Sequence, residues 1–422
     1  MCGMEGVRLA AADAQFYWMS AKIGNDQFVL YAFDGEPADV EEAVVQVIRR
    51  ARRCPDLGLR VDDGCPATYP AWVRRDVGAD QTVLHGPAAG WQECLDAVAR
   101  LADDQLDLRD AAWRLHVFGP VPGVPGTAQP STVTVVQLGH ALADGVRASA
   151  MAAVLFGRAS NVPGIHHSSP GCLITRSVSA ARCHTRLERD TTAGLVPPPA
   201  SPRPVLPINR RAGGATTIRT LIRRSEELPG PTVTVAVLAA ISGALAGYLG
   251  DRGEDTSALG AEVPMAKSRV RTANNHFGNV GVGLYPELPF QRRVARIADE
   301  LEQRRRRGAH PAFAAGDASL AAVPASLLRW GVRQFDADVR SPVVTGNTVV
   351  SSVNRGPADL TFGGRPVVLT AGYPALSPMM GLTHGVHGIG GAIGISVHAD
   401  DSVVDVDDYV DRLTVALGDQ NR

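Results

Sequence analysis

The residues His140-Ala-Leu-Ala-Asp144-Gly145 place an imidazole, a carboxylate and a glycine within one short stretch of chain. An imidazole changes charge with small changes in its surroundings, so it can take and return a proton near neutral pH. Ahead of it, residues 132–138 alternate apolar and polar side chains, the period of a half-buried strand. Behind it, residues 146–156 have the composition of a helix. The histidine therefore stands where a rigid element ends and the chain turns, the usual place for a fold to expose chemistry. Two readings follow. In one, His140 is a general base. In the other, it is a hydrogen-bonded structural residue, with Asp144 capping the next helix and Gly145 serving the turn.

A chain of 422 residues exceeds one ordinary core and predicts two domains. With 45% hydrophobic and 20% charged residues it has the composition of a soluble globular protein. A formal net charge of -1 supplies no field for nucleic acid or an acidic membrane. Only Lys22 and Lys267 are lysines among the 42 basic residues, a bias that suits a GC-rich genome. Cys2, Cys54, Cys65, Cys94, Cys172 and Cys183 form no CxxC pair and, without a secretory leader, read as reduced cytosolic thiols. Residues 232–250 are uncharged and nearly long enough to span a bilayer, but contain Thr234, Ser242, Gly243 and Gly247. A buried core helix is expected there, and peripheral contact with a membrane rather than a transmembrane span.

Strands are expected at 28–33, 113–118 and 132–138, the last two as a hairpin, with helices at 40–54, 91–106 and after Asp144. From 159 to 214 proline clusters and paired arginines replace any period, which predicts a crossover linker. A second α/β half then begins near 216. It carries the apolar helix, strands near 258–265, 275–285, 343–350, 365–370 and 391–397, a charged helix at 291–307 and a closing helix at 406–417. The expected division is 1–158, 159–214 and 215–422.

Several segments, in order along nearly the whole chain, resemble the wax ester synthase/diacylglycerol acyltransferase family of the CoA-dependent, HxxxD-type acyltransferases. His140 to Gly145 matches HxxxDG. Leu9-Ala-Ala-Ala-Asp13-Ala14-Gln-Phe16 resembles the family's LSPxDAxF, and residues 105–117 its PLDRxxPLWxxxLV. Residues 231–240 correspond to GGTVNDVVLAA, Phe277-Gly278-Asn279 to its GN segment, and Ser351-Ser-Val-Asn354-Arg-Gly356-Pro357 to SNVPGP. Departures mark a divergent member. The paired histidine is reduced to Gly139-His140, PLW has become Ala111-Ala112-Trp113, ND has become Thr234-Val235, and the asparagine of SNVPGP is displaced to Asn354.

The resemblance implies two chloramphenicol-acetyltransferase-like α/β lobes with a tunnel between them. It implies an acyl thioester entering from one face and an alcohol or amine from the other. His140 would be the base, Asp144 an orienting residue paired with an arginine, and Gly145 a backbone turn. Thr234, Asn279, Trp113 and Asn354 are the candidate substrate contacts. The default for a helix threonine such as Thr234 is a hydroxyl bonded to its own backbone. No bound cofactor is implied; acyl-CoA, or an acyl carrier protein thioester, would be a cosubstrate. His384-Gly-Val-His387 lacks the helix and glutamate of a zinc protease, so no metal is expected. Arg304 to Arg307 read either as a solvated helix end or as a dock for CoA phosphates or a carrier protein. A natural-product acyltransferase or condensation-type enzyme, and a non-catalytic lipid-binding homologue, are the competing readings.

Overall fold

The computed structural model describes residues 6–167, 169, 171–210 and 213–418; Cys2 lies outside them. The strand ahead of His140, Ser131–Leu138, is buried on both faces rather than one. The reason is two layers of helix. Val133 and Val135 enter a core with the helix Trp91–Arg100, while Val136 and Leu138 enter another with Val40–Ala51 and Gly145–Leu155. The polar residues of the alternation are satisfied internally: Gln137 donates to Asp26 at 2.7 Å and meets His116 at 3.0 Å.

This strand is central in a six-stranded sheet. Its order is Thr361–Phe362, Arg365–Gly372, Gln27–Phe33, Ser131–Leu138, Trp113–Val121 and Thr82–His85. All neighbours are antiparallel except the last pair. A second six-stranded sheet runs Phe277–Gly283, Gly260–Ala266, Thr348–Asn354, Leu382–Ile389, Ala392–Asp400 and Thr216–Arg224. The molecule is thus a pair of mixed α/β lobes. The division at residue 214 is not a clean one, however. Residues 361–372 come from the C-terminal half yet complete the first sheet, so the lobes are interlocked by strand exchange.

The uncharged helix Val233–Gly250 is the centre of the second core, with Val237, Leu238, Ile241 and Leu245 fully buried. Its apolar perimeter is explained by packing between the sheet, Phe290–Gly308 and Val406–Gly418.

Two expectations need correction, for the crossover and for the basic run, and one strand lies where composition gives no sign of it. The 159–214 crossover contains a 20-residue helix, Leu173–Thr192. Of its residues only Leu187 is buried, so it carries no strong apolar stripe; packing on Pro311–Ala321 holds it. The glycine-rich stretch after 371 holds the fully buried central strand Leu382–Ile389. Its glycines allow close approach: a Cβ on Gly385 would fall 2.0 Å from the Gly372 carbonyl. The basic run at 304–307 is partly structural. Arg304 is buried, pairs with Glu300 at 2.5 Å and donates to the Pro198 carbonyl, and Arg307 donates to Pro197. Half of the run therefore clamps the crossover.

Buried imidazoles give the fold a pH signature. Burial pushes His116 down to about 4 and His384 to about 3, and lowers His387 and His398 as well. Burial also raises Asp13 and Asp26 to about 6. Around pH 5 the unfolded chain holds protons on His116, His384 and His387 that the native state does not. The two carboxylic acids offset part of that by binding protons in the native state. The unfolded state still binds more, so stability falls on acidification around pH 5. Urea unfolding at pH 6.5, 5.5 and 5.0 should show the midpoint descending.

Candidate active site

After Leu138 the chain leaves the sheet. Gly139 donates to the Ala112 carbonyl at 3.0 Å, and Leu142 closes a turn onto Gly139 at 2.9 Å. A Cβ at Gly139 would come within 2.6 Å of Leu108, which fills the space beside the turn. Asp144 caps the following helix, accepting from Arg147 N at 3.0 Å. Its other oxygen accepts from Arg271 Nη1 at 2.8 Å and from His276 N at 3.0 Å. Asp144 thus joins the turn of one lobe to residues 271–276 of the other. Gly145 is the first residue of the helix and lies outside the left-handed region. Its role here is proximity: a Cβ would stand 3.0 Å from Val353 of the second sheet.

His140 is half-buried between the lobes. Phe16 stacks on its ring at 4.1 Å and 9°, and Phe277 tilts against it at 6.0 Å. Asn275 Nδ2 donates to the His140 carbonyl at 2.7 Å, and Asn274 Nδ2 to that of Ala141 at 3.0 Å. Both asparagines are gripped by Asp13, which accepts from Asn274 N at 2.8 Å, Asn275 N at 2.9 Å and Asn275 Nδ2 at 3.0 Å. The turn is therefore held by contacts to the backbone carbonyls and not to the imidazole Nε2. Nδ1 is sealed and makes no hydrogen bond, so Nε2 is the nitrogen open to the space between the lobes. Burial lowers the His140 pKa below its ordinary 6.5, against the opposing pull of its own carbonyl, the Asn275 side chain and Asp144. At pH 7 the ring is neutral, the form that accepts a proton.

The space is a cavity of about 460 Å³ lined by both lobes. Phe16, Val29, His140, Val146 and Phe277 supply apolar and aromatic wall; Glu262, Asn279, Ser351, Ser352, Arg355 and His387 supply polar groups. Asn279 Nδ2 donates to Glu262 at 2.5 Å, and burial raises the Glu262 carboxyl above its usual range. A second depression, about 510 Å³, lies on the other flank of the helix Ala11–Ser20 and is lined by Tyr17, Trp18, Lys22, Arg109 and Arg333. The two are close. Asp26 of the first cavity accepts from Leu106 N of the second at 2.7 Å.

Residues 9–216 match the wax ester synthase/diacylglycerol acyltransferase catalytic domain, and residues 275–419 the C-terminal domain of the same family. The chain belongs to the wax ester synthase/diacylglycerol acyltransferase family. Its structure is similar to that of a wax ester synthase/diacylglycerol acyltransferase from Marinobacter aquaeolei VT8. The TM-score is 0.63 at 16% identity, covering 97% of this chain and 98% of that one. It is also similar to a mutant starter condensation domain of rhizomide synthetase RzmA in complex with C8-CoA and Leu-SNAC. There the TM-score is 0.55 at 14% identity, covering 98% and 93%. No curated protein matches the sequence.

Within this acyltransferase family's architecture the expected substrate contacts divide. Asn279 lines the cavity. Thr234 reaches it only through a 2.8 Å bond to the Ser352 hydroxyl, which does line it. Trp113 and Asn354 are corrections. Trp113 is fully buried in the first core, its indole donating to the Leu57 carbonyl at 2.8 Å, because a wide ring inside a central sheet packs rather than lines. Asn354 is exposed and turns back to accept from Gly356 N at 2.9 Å. Of the histidines set aside, His384 is used on both nitrogens, by Thr348 at 2.9 Å and Tyr409 at 2.7 Å. Residues that sequence reasoning missed are Asp13, Phe16, Asn275, Glu262 and Arg355. Asp13, Phe16 and Arg355 all lie inside segments already matched to the family, which was the available signal.

Phe16 has a testable part. Removing the ring forfeits a stacked contact worth about 0.5–1.5 kcal/mol and admits water to the imidazole. In Phe16→Ala, kcat/KM for acyl transfer should fall roughly twofold to tenfold, and the acid limb of its pH profile should move up towards 6.5 as desolvation of His140 is relieved.

Proposed function

We propose that this protein transfers an acyl group from acyl-CoA to an acceptor hydroxyl, with His140 as general base and no acyl-enzyme. The observation that carries this reading is a neutral, half-buried imidazole with Nε2 open to a cavity walled by both lobes. As the acceptor oxygen attacks the thioester carbonyl, Nε2 takes its proton. The tetrahedral oxyanion collapses, the carbon–sulfur bond breaks, and the imidazolium returns the proton to the departing thiolate. Ester and free CoA thiol result. Holding both substrates beside one base gains from positioning as well as from proton transfer. Asp144, committed to Arg271, His276 N and Arg147 N, acts as a positioning residue.

The donor is supported by the family and by the CoA ligand of the similar condensation domain. The described cysteines are all free thiols, which suits a reducing cytoplasmic setting. The test is thiol release over a range of acyl-CoA lengths with alcohol and amine acceptors. Release that requires both substrates supports the proposal. Turnover confined to a carrier-protein thioester would replace the donor, and turnover confined to amines would replace the acceptor.

A further inference from the structure

Arg355 sits at the root of the cavity and is only 5% exposed, yet no carboxylate among the described residues pairs with it. One edge of the guanidinium is used: Nη1 donates to Thr370 Oγ1, to the Ala371 carbonyl at 2.8 Å and weakly to that of Leu30 at 3.4 Å. The rest of the group faces the Tyr31 ring, 5.3 Å from Cζ, and meets no carboxylate among the described residues. Nε is sealed without a partner and Nη2 makes no hydrogen bond to the described residues. His387 lies beside it, 5% exposed, with Nδ1 also unpartnered. The two converge over Gly372, where a Cβ would stand 2.8 Å from Nη2 and 3.1 Å from His387 Nε2. Gly372, Arg355 and His387 all line the cavity that holds His140.

A buried cation without a counterion is costly, and folds keep one mainly where something anionic comes to it. Burial and the neighbouring guanidinium both hold His387 neutral, so among the described residues Arg355 supplies the positive charge at this spot. Among the described residues no lysine and no second arginine lines the cavity, whereas Asp26, Glu262 and the Arg271-paired Asp144 do. One charge among acids suits a monoanion and disfavours a phosphate dianion.

We infer that Arg355 and His387 form a carboxylate-binding subsite of the acyl-transfer cavity, so that one of the two substrates carries a carboxylate remote from the reacting groups. This rests on the acyl-transfer reading above and narrows its substrate class. The carboxylate belongs either to a hydroxy-acid acceptor or to the far end of a dicarboxylic monothioester.

Two arms separate these sources. With octanoyl-CoA as donor, ω-hydroxyhexanoate is compared with its methyl ester. With hexanol as acceptor, the CoA monothioester of octanedioic acid is compared with octanoyl-CoA. In one arm kcat/KM should favour the carboxylate by about tenfold to a hundredfold, the range of a charge-assisted hydrogen bond. In Arg355→Gln that ratio should collapse towards one, with the change in KM rather than in the acid limb of the pH profile. The wild-type comparison stands by itself should the variant fail to fold. Turnover of the neutral substrates with no preference in either arm overturns the subsite and leaves acyl transfer intact. If nothing turns over, acyl transfer fails instead, and calorimetry with octanedioate and its dimethyl ester decides the subsite. Binding of the diacid alone supports it; equal or absent binding overturns it.

Discussion

Replacing His140 by alanine is expected to lower acceptor-dependent thiol release by on the order of 10²–10⁴, the contribution of a positioned base. The ring is half-buried and its Nδ1 makes no hydrogen bond, so its removal deletes no structural bond of the side chain. The turn survives because Asn275 holds the His140 carbonyl, a backbone group that alanine retains. Far-ultraviolet circular dichroism should therefore be unchanged while the rate falls. The wild-type kcat/KM should decline below a pH set by a base whose pKa lies under 6.5, since protonation fills the nitrogen that must accept. That limb should vanish in the variant. Release that persists at the wild-type rate in His140→Ala would remove the imidazole from the reaction.

The second large effect is on stability. Asp144→Ala should destabilise the protein by about 3–5 kcal/mol, because it strands the largely buried guanidinium of Arg271 without its carboxylate. It also uncaps the helix Gly145–Leu155 and releases His276 N. The consequence crosses the lobe boundary, since residues 271–276 belong to the second lobe and the cap to the first. Activity should fall along with stability, and the acid limb of the pH profile should persist but move down, because the Asp144 charge that opposes the lowering of the His140 pKa is gone. Asp144→Asn should rescue part of the loss, because an asparagine still caps a helix but cannot neutralise Arg271. Urea unfolding together with a pH–rate profile measures both. An acid limb that disappears in either variant would place Asp144 in the proton transfer itself.

The legibility of this chain follows the range of its interactions. The strand ending at Leu138, the cap at Asp144 and the helix behind it are readable from residue period and capping chemistry, which act within a few positions. The helix Leu173–Thr192 was not, since it buries almost nothing and has no apolar face to display. The strand Leu382–Ile389 was hidden by glycines whose use is to admit a neighbouring backbone, a requirement invisible without the neighbour. Trp113 looked like a site residue through its segment's resemblance, yet its side of the sheet faces the core.

From residue order alone came the HxxxDG element, the family likeness and the two α/β halves, because local geometry and the succession of short segments are written along the chain. What needed folding was the company His140 keeps. Phe16, Asp13, Asn275 and Arg355 come from opposite ends of the sequence, and the exchange of residues 361–372 brings the lobes into register. A guanidinium is unpaired, and an imidazole neutral and open on one side, only by virtue of what surrounds it. Burial and the absence of a counterion are properties of three-dimensional neighbours, and no run of letters carries them.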